Sequence, residues 1–168
     1  SNTRSFIDYP IKPVPFTEVK IEDNFWKKRI QTNDEVTIPA TFKKSEETGR
    51  ISNFAKAGGL EEGEFEGIFF NDSDVFKIIE GASYSLHKNP NPKLKKYLDE
   101  VISKISSAQE EDGYLYSNRT INPEKAADSA GLRRWSNLEI FHELYNVGHL
   151  YEAAVANFQA TGDRKLLD

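Results

Sequence analysis

The stretch from Leu138 to Gly162, LEIFHELYNVGHLYEAAVANFQATG, constrains the fold more than any other part of the chain. Read as one long helix, it places Leu138, Phe141, Leu144, Tyr145, Gly148, Tyr151, Val155 and Phe158 in one broad stripe able to bury against a neighbouring layer. A second stripe runs beside it. His142, Asn146, His149, Ala153, Ala156 and Ala160 follow one another at spacings of four and three, polar at the N-terminal end and small thereafter. A helix of this kind asks to be covered on more than one side. The pattern predicts an inner helix of a larger helical assembly rather than the rim of a small domain.

Length and charge narrow the partners. A chain of 168 residues can bury a core and fits a single domain. With 22 Lys plus Arg against 27 Asp plus Glu, the formal charge is −5, and no basic run is long enough to follow a phosphate backbone, so nucleic acid is not expected. No apolar run has membrane-spanning length, and no membrane partner is expected. The opening SNTRSFIDYP holds no apolar signal core; a removed signal peptide would leave the same start, so the compartment stays open. Cysteine is absent, which excludes disulfides, thiolate nucleophiles and cysteine-bound metal within this chain.

Along the chain, Pro10, Pro13 and Pro15 make residues 1–18 an extended segment lying on a surface, ahead of a helical body over 19–168. Residues 19–35 read as a short strand and then a helix, with Asp23 or Asn24 as N-cap before Phe25 and Trp26. A second helix is expected from about Pro39 to Gly58 and Gly59. A third follows Asp72 as cap, with Val75, Ile78, Ile79, Ala82, Tyr84 and Leu86 on its apolar face, and stops at the Asn-Pro-Asn-Pro run from Asn89. Pro92 to Gln109 carries Leu94, Leu98, Val101, Ile102 and Ile105 at helical spacing, forming a helical hairpin with the helix before it. Residues 118–137 read as a long irregular connection. Asp163 caps a further helix that is cut off after one turn, so more of the protein is expected beyond this segment.

Each candidate for chemistry has an ordinary alternative. Asp72 and Asp74, two apart at a helix start, diverge rather than face each other across a bond, so capping and the positive first turn account for both. Glu61 and Glu62 form a dense acidic loop without the ordered spacing of a calcium loop. Gln109, Asp112, Gly113 and Tyr114 sit where a helix ends and the chain reverses, a place from which side chains can enter a cleft, although a helix stop needs Gly113 in any case. His142 and His149 lie seven apart with no third ligand beside them, so no metal site is read here. His142, Tyr145, Asn146 and His149 nevertheless gather donors and acceptors on one side of a buried helix, and a sugar presents many hydroxyls to such a row.

The blocks GIFFNDSDVFKIIEGASYSL, AQEEDGYLYS and HELYNVGHLYEAAVANFQATG, in that order, with DNFWKKRI ahead of them, strongly resemble glycoside hydrolase family 127, the β-L-arabinofuranosidase family. The resemblance runs from about Val19 to the end. It implies an all-α fold, the N-terminal part of an (α/α)6 barrel whose inner helices line a sugar pocket. It implies that His142 contacts arabinofuranose, and His149 belongs to the family pattern; His149, Asn146 and Tyr145, grouped with His142 by their spacing on the helix, are read as further substrate-binding residues. Where many relatives have a histidine and a tyrosine, this chain has Asn157 and Phe158. The family's retaining mechanism uses a cysteine nucleophile in a zinc site of one glutamate and three cysteines, with a separate glutamate as acid/base. None of these lies in this segment, so no catalytic residue and no cofactor is assigned to it, and zinc is expected only in the complete enzyme.

The reading is therefore a fragment of a retaining hydrolase, inactive alone, whose partners are an arabinofuranose-containing plant glycan and the rest of its own catalytic domain. Export to the periplasm or medium follows by analogy only. Another sugar enzyme on the same architecture, an epimerase or uronyl hydrolase, is the alternative, as is a non-catalytic carbohydrate-binding module. A half-ring would expose apolar edges around Phe141, Leu144 and Tyr151.

Overall fold

A computed structural model describes residues 11–123 and 133–168. The expectations for Pro10 and for the middle of the 118–137 connection fall outside these residues. Among the described residues the regular structure is helical throughout, with no strand. The helices are α1 (Trp26–Thr32), α2 (Ile38–Glu47), α3 (Arg50–Ala57), α4 (Asp72–Lys88), α5 (Pro92–Ala108), α6 (Ser117–Ile121), α7 (Leu138–Phe141) and α8 (Glu143–Thr161).

Two layers organise them. At one end of α4 and α8, the His142 ring stacks on Phe70 with centroids 4.4 Å apart; further along, Asn157 Nδ2 donates to Ser83 Oγ at 3.2 Å. The two helices therefore run parallel. The second layer also runs in parallel: Tyr97 OH of α5 donates to Glu46 at the end of α2, and Gly58 after α3 abuts Ser107 near the end of α5. This layer is antiparallel to the first, because Arg50 pairs with Asp74 at 2.8 Å while Asn89 reaches back to Asp34 at 2.5 Å. The main core fills the space between the layers, with Phe54 tilted against Phe76 at 5.6 Å and Ile51, Ile79, Leu98 and Ile102 fully buried. Burying each such side chain contributes about 1.5–3 kcal/mol.

The local signals behave as their chemistry requires in most places. Asp23 Oδ1 accepts from the backbone of Phe25 and Trp26 ahead of α1, and Asn91 Oδ1 caps α5 by accepting from Lys93 and Leu94. Pro39 stands in the first turn of α2, as expected, but α2 is not a fresh start. The chain is already helical from Trp26, and a wide π-turn over Asn33–Thr37 carries it into α2. Proline lacks an N–H and its ring crowds the carbonyl four residues back, so a widened turn is how a continuous helix accommodates it. The expected helix to Gly58 is broken at Gly49, whose φ of +74° is open to glycine at little cost.

Other expectations need correction. Residues 19–22 form no strand. A helix, α6, occupies the start of the connection read as irregular. The long C-terminal helix is two helices, interrupted at His142, which adopts φ +56° and ψ +22°. After Gly162 the chain makes a turn rather than a helix, with Asp163 Oδ1 accepting from Lys165 N. The stripes of α8 also exchange roles. Its small and polar side, with Ala153, Ala154, Ala156 and Asn157, is buried, while Leu144, Tyr151, Val155 and Phe158 are exposed. Small residues let α8 lie close against α4, and bulky ones do not. Of the expected exposed edge residues, Phe141 is instead fully buried.

Gly58 lies close against Ser107 of α5 in the second layer. A Cβ at Gly58 would lie 2.7 Å from the backbone carbon of Ser107. Gly58→Ala is expected to destabilise the protein by about 1–3 kcal/mol through overpacking, read as a lower thermal unfolding midpoint.

Candidate functional site

The N-terminal ends of α4 and α8 lie together, and the loops before them meet there. Phe69 and Phe70 precede α4, and the segment from Gly113 to Ser117 crosses between the two helices. A small aromatic cluster of Tyr114, Tyr116 and Phe141, with Phe69 packed on it, seals this end separately from the main core.

The crossing segment is held by buried acids. Asp72, the first residue of α4, does not cap its own helix as the sequence suggested. Its Oδ2 accepts from the backbone N–H of Ser117 at 2.8 Å, and its Oδ1 accepts from the Ser117 hydroxyl. Asp74 turns the other way, to Arg50. Burial pushes the Asp72 carboxyl up to about 6 against the opposing pull of the Ser117 hydrogen bonds. Glu143, the first residue of α8, is also buried: Tyr114 OH donates to its Oε1 at 2.5 Å and Trp135 N–H to its Oε2 at 2.9 Å. Burial, and then the Glu143 carboxylate, hold the Tyr114 hydroxyl well above the usual phenol range.

His142 stands between these anchors in a left-handed conformation, which costs a non-glycine residue on the order of 1–2 kcal/mol. Its Nδ1 contacts the Ile140 carbonyl, which can only accept, so Nδ1 carries a hydrogen, and the tautomer that puts the ring's single hydrogen there offers Nε2 as an acceptor. Tyr145 meets His142 edge-on at 5.7 Å and His149 at 4.5 Å, making a continuous row of rings. Lys77 Nζ of α4 sits 4.8 Å from the Tyr145 ring centre. His149 Nδ1 lies 3.2 Å from Glu152 Oε2 without hydrogen-bond geometry. Asn146 is on the inner side of the row, buried, with neither amide atom partnered among the described residues.

The structure thus brings His142, Tyr145 and His149 into one row and sets Asn146 behind it. Asn157, by contrast, is buried far along α8 against Ser83. Gln109, Asp112 and Gly113 close their own turn: Gln109 Nε2 donates to Gly113 O, and Asp112 accepts from Tyr114 N and from Arg134. Together with Tyr114, Leu144 and Tyr151 they line a groove of about 640 Å³ on the opposite side of α8 from the histidine row. Sequence reasoning missed Phe70, Tyr116, Ser117 and Glu143. Only the alternation of Tyr114 and Tyr116 in YLY hinted that both could face one way. Among the described residues no group of three His, Asp or Glu side chains is placed to hold a metal.

Comparison with known proteins places these features in a family. Residues 18–168 match the β-L-arabinofuranosidase, GH127 catalytic domain. A non-reducing end β-L-arabinofuranosidase of Bifidobacterium longum subsp. longum is 34% identical over 169 aligned residues, covering 89% of this chain and 25% of that protein. Among solved structures, a GH127 β-arabinofuranosidase superposes with a TM-score of 0.88 at 54% identity, covering 95% of this chain and 26% of its own. A GH127 β-L-arabinofuranosidase from Geobacillus stearothermophilus T6 superposes with a TM-score of 0.82 at 40% identity, covering 89% of this chain and 24% of its own. The chain spans about a quarter of the length of these relatives.

Two measurements probe this end of the molecule. The Asp72 carboxyl titrates near 3.8 when unfolded and near 6 when folded, so the native state binds the proton more tightly. The resulting stability is full below the unfolded value and is lost as pH rises through about 6. Denaturation of wild type is expected to lose up to roughly 3 kcal/mol against Asp72→Asn between about pH 4 and about pH 7. Separately, His142→Gly is expected to be about 1 kcal/mol more stable than His142→Ala, because only glycine meets the positive φ without strain.

Proposed function

The chain belongs to the GH127 β-L-arabinofuranosidase catalytic-domain family and forms part of that family's (α/α)6 barrel, and from this premise we propose that the whole protein is a retaining glycoside hydrolase cleaving β-linked L-arabinofuranose from plant-derived glycans. Within it, this chain supplies two parallel inner helices and one wall of the sugar pocket. The observation that carries the reading is the row of His142, Tyr145 and His149 at the joined N-terminal ends of α4 and α8, backed by Phe70. Aromatic faces with a few fixed polar atoms are the ordinary lining of a small-molecule site. His142 Nε2 accepts from a sugar hydroxyl, while the Phe70 stack and the Nδ1–H bond to Ile140 O set the plane of its ring. Tyr145 and His149 extend the row as further sugar contacts. The two unpartnered atoms of Asn146 lie behind it, where a second sugar hydroxyl or a bridging water satisfies them.

The chemistry of bond cleavage is assigned to residues outside this chain. A zinc-held cysteine nucleophile, which zinc would keep as thiolate, belongs to this reading of the complete enzyme. The residues present do not fit such a centre: the chain has no cysteine, and no described cluster offers a metal its ligands. The exposed strip of Leu144, Tyr151, Val155 and Phe158 is the face on which the remainder of the barrel packs.

The test is hydrolysis of an aryl β-L-arabinofuranoside by the complete protein, with bound zinc measured alongside. His142→Ala is expected to lower kcat/KM by roughly tenfold to a hundredfold, the usual range for losing a positioned hydrogen-bond partner. Unchanged kinetic constants would remove His142 from the site, and absence of hydrolysis by the intact protein would overturn the assignment of activity.

A further inference from the structure

We infer that Glu143, Tyr114 and Tyr116 are positioning residues that fix the backbone on both sides of His142 and so aim its imidazole. The inference rests on the reading of His142 as a sugar contact and deepens it.

A chain that needs a left-handed residue between two helices has glycine as its default, since glycine enters that conformation without the Cβ penalty. Histidine at this position means that the side chain is wanted there, and the surroundings show how the conformation is held. On the N-terminal side, the Phe141 carbonyl accepts from Tyr116 OH at 2.7 Å, and Phe141 itself is fully buried. On the C-terminal side, the Glu143 carboxylate accepts from Tyr114 OH at 2.5 Å and from Trp135 N–H at 2.9 Å, with Arg119 Nε 3.9 Å from the same Oε1. Both neighbours of His142 are thereby tied to one short extended segment. Tyr114 and Tyr116, two residues apart, reach to the same side, and Ser117 behind them is locked to Asp72.

Trp135 adds a second left-handed residue, φ +64°, whose N–H ends on the same carboxylate. A buried carboxylate between two strained non-glycine residues, bonded to both a tyrosine and a backbone N–H, is a costly way to make a turn. It becomes economical only if the ring at position 142 must be placed to within a fraction of an ångström, the tolerance at which bound geometry changes rates by large factors.

The experiment is a double-mutant cycle in the complete enzyme, assayed with an aryl β-L-arabinofuranoside. Wild type, His142→Ala, Tyr116→Phe, Tyr114→Phe and Glu143→Gln are compared with the three combinations that also carry His142→Ala. With His142 present, each positioning variant is expected to lower kcat/KM by about tenfold; with alanine at 142, each is expected to lower it by less than about twofold. A structural role alone predicts equal losses in both backgrounds, and that result, or no loss in either, would overturn the proposal. Should Glu143→Gln fail to fold, the tyrosine variants, each lacking a single oxygen atom, complete the cycle. If His142→Ala is itself kinetically silent, the sugar-contact reading fails first and separately, and the proposal fails with it.

Discussion

Two buried carboxylates, each the first residue of one of the two parallel helices, govern the arrangement of the end where those helices begin. Asp72 opens α4 and Glu143 opens α8, and neither caps its own helix; both reach sideways to the segment from Tyr114 to Ser117. Negative charge at a helix N-terminus is favoured by the peptide dipoles, which helps to offset the cost of burying these groups. Two parallel dipoles side by side repel, and acids set at their common positive end ease that repulsion. The same two acids fasten a stretch of chain that links the two helices at this end. Remove either and the crossing segment, the aromatic cluster and the kink at His142 lose a common support.

Helix positions were largely legible in the sequence because local chemistry sets them. The bounds of α4 and α5 follow from a hydrophobic period that starts at Asp72 and at Pro92 and ends at an Asn-Pro run and a glycine turn. The break at His142 left no such mark. Helical spacing continues through it without interruption, and the residue in the left-handed conformation is neither glycine nor asparagine. Its cause lies in Tyr114 and Tyr116, more than twenty residues earlier, which no periodicity can report. Asp72 is the same case: at a helix start it reads as a cap, and its partner Ser117 is 45 residues away in sequence. The buried side of α8 was misread for a different reason, since apolar bulk signals burial only if a partner is near enough to cover it. Against α4 the close fit goes to alanines, and the bulky strip faces outward.

The site residues named from resemblance and those found from geometry divide into two kinds. Tyr145 and His149 share one face of α8 and His142 immediately precedes that helix, so sequence spacing could group the row. The groups that hold the row in place come from three separate stretches of chain and were invisible as a set. Family membership supplies the expectation of a sugar substrate; the geometry shows how the residues on either side of His142 are held. The likeness to solved relatives covers nearly all of this chain but only about a quarter of theirs.

The left-handed residue at 142 also uncouples direction from phase. In an unbroken helix the bearing of each side chain is fixed by its count from every other, so a single inserted or deleted residue rotates all that follow by about 100°. Here the bearing of the imidazole is set by bonds to its immediate neighbours, made from a different part of the chain. Helix α8 can therefore drift in sequence, length and twist along its far half without turning the histidine away from the mouth.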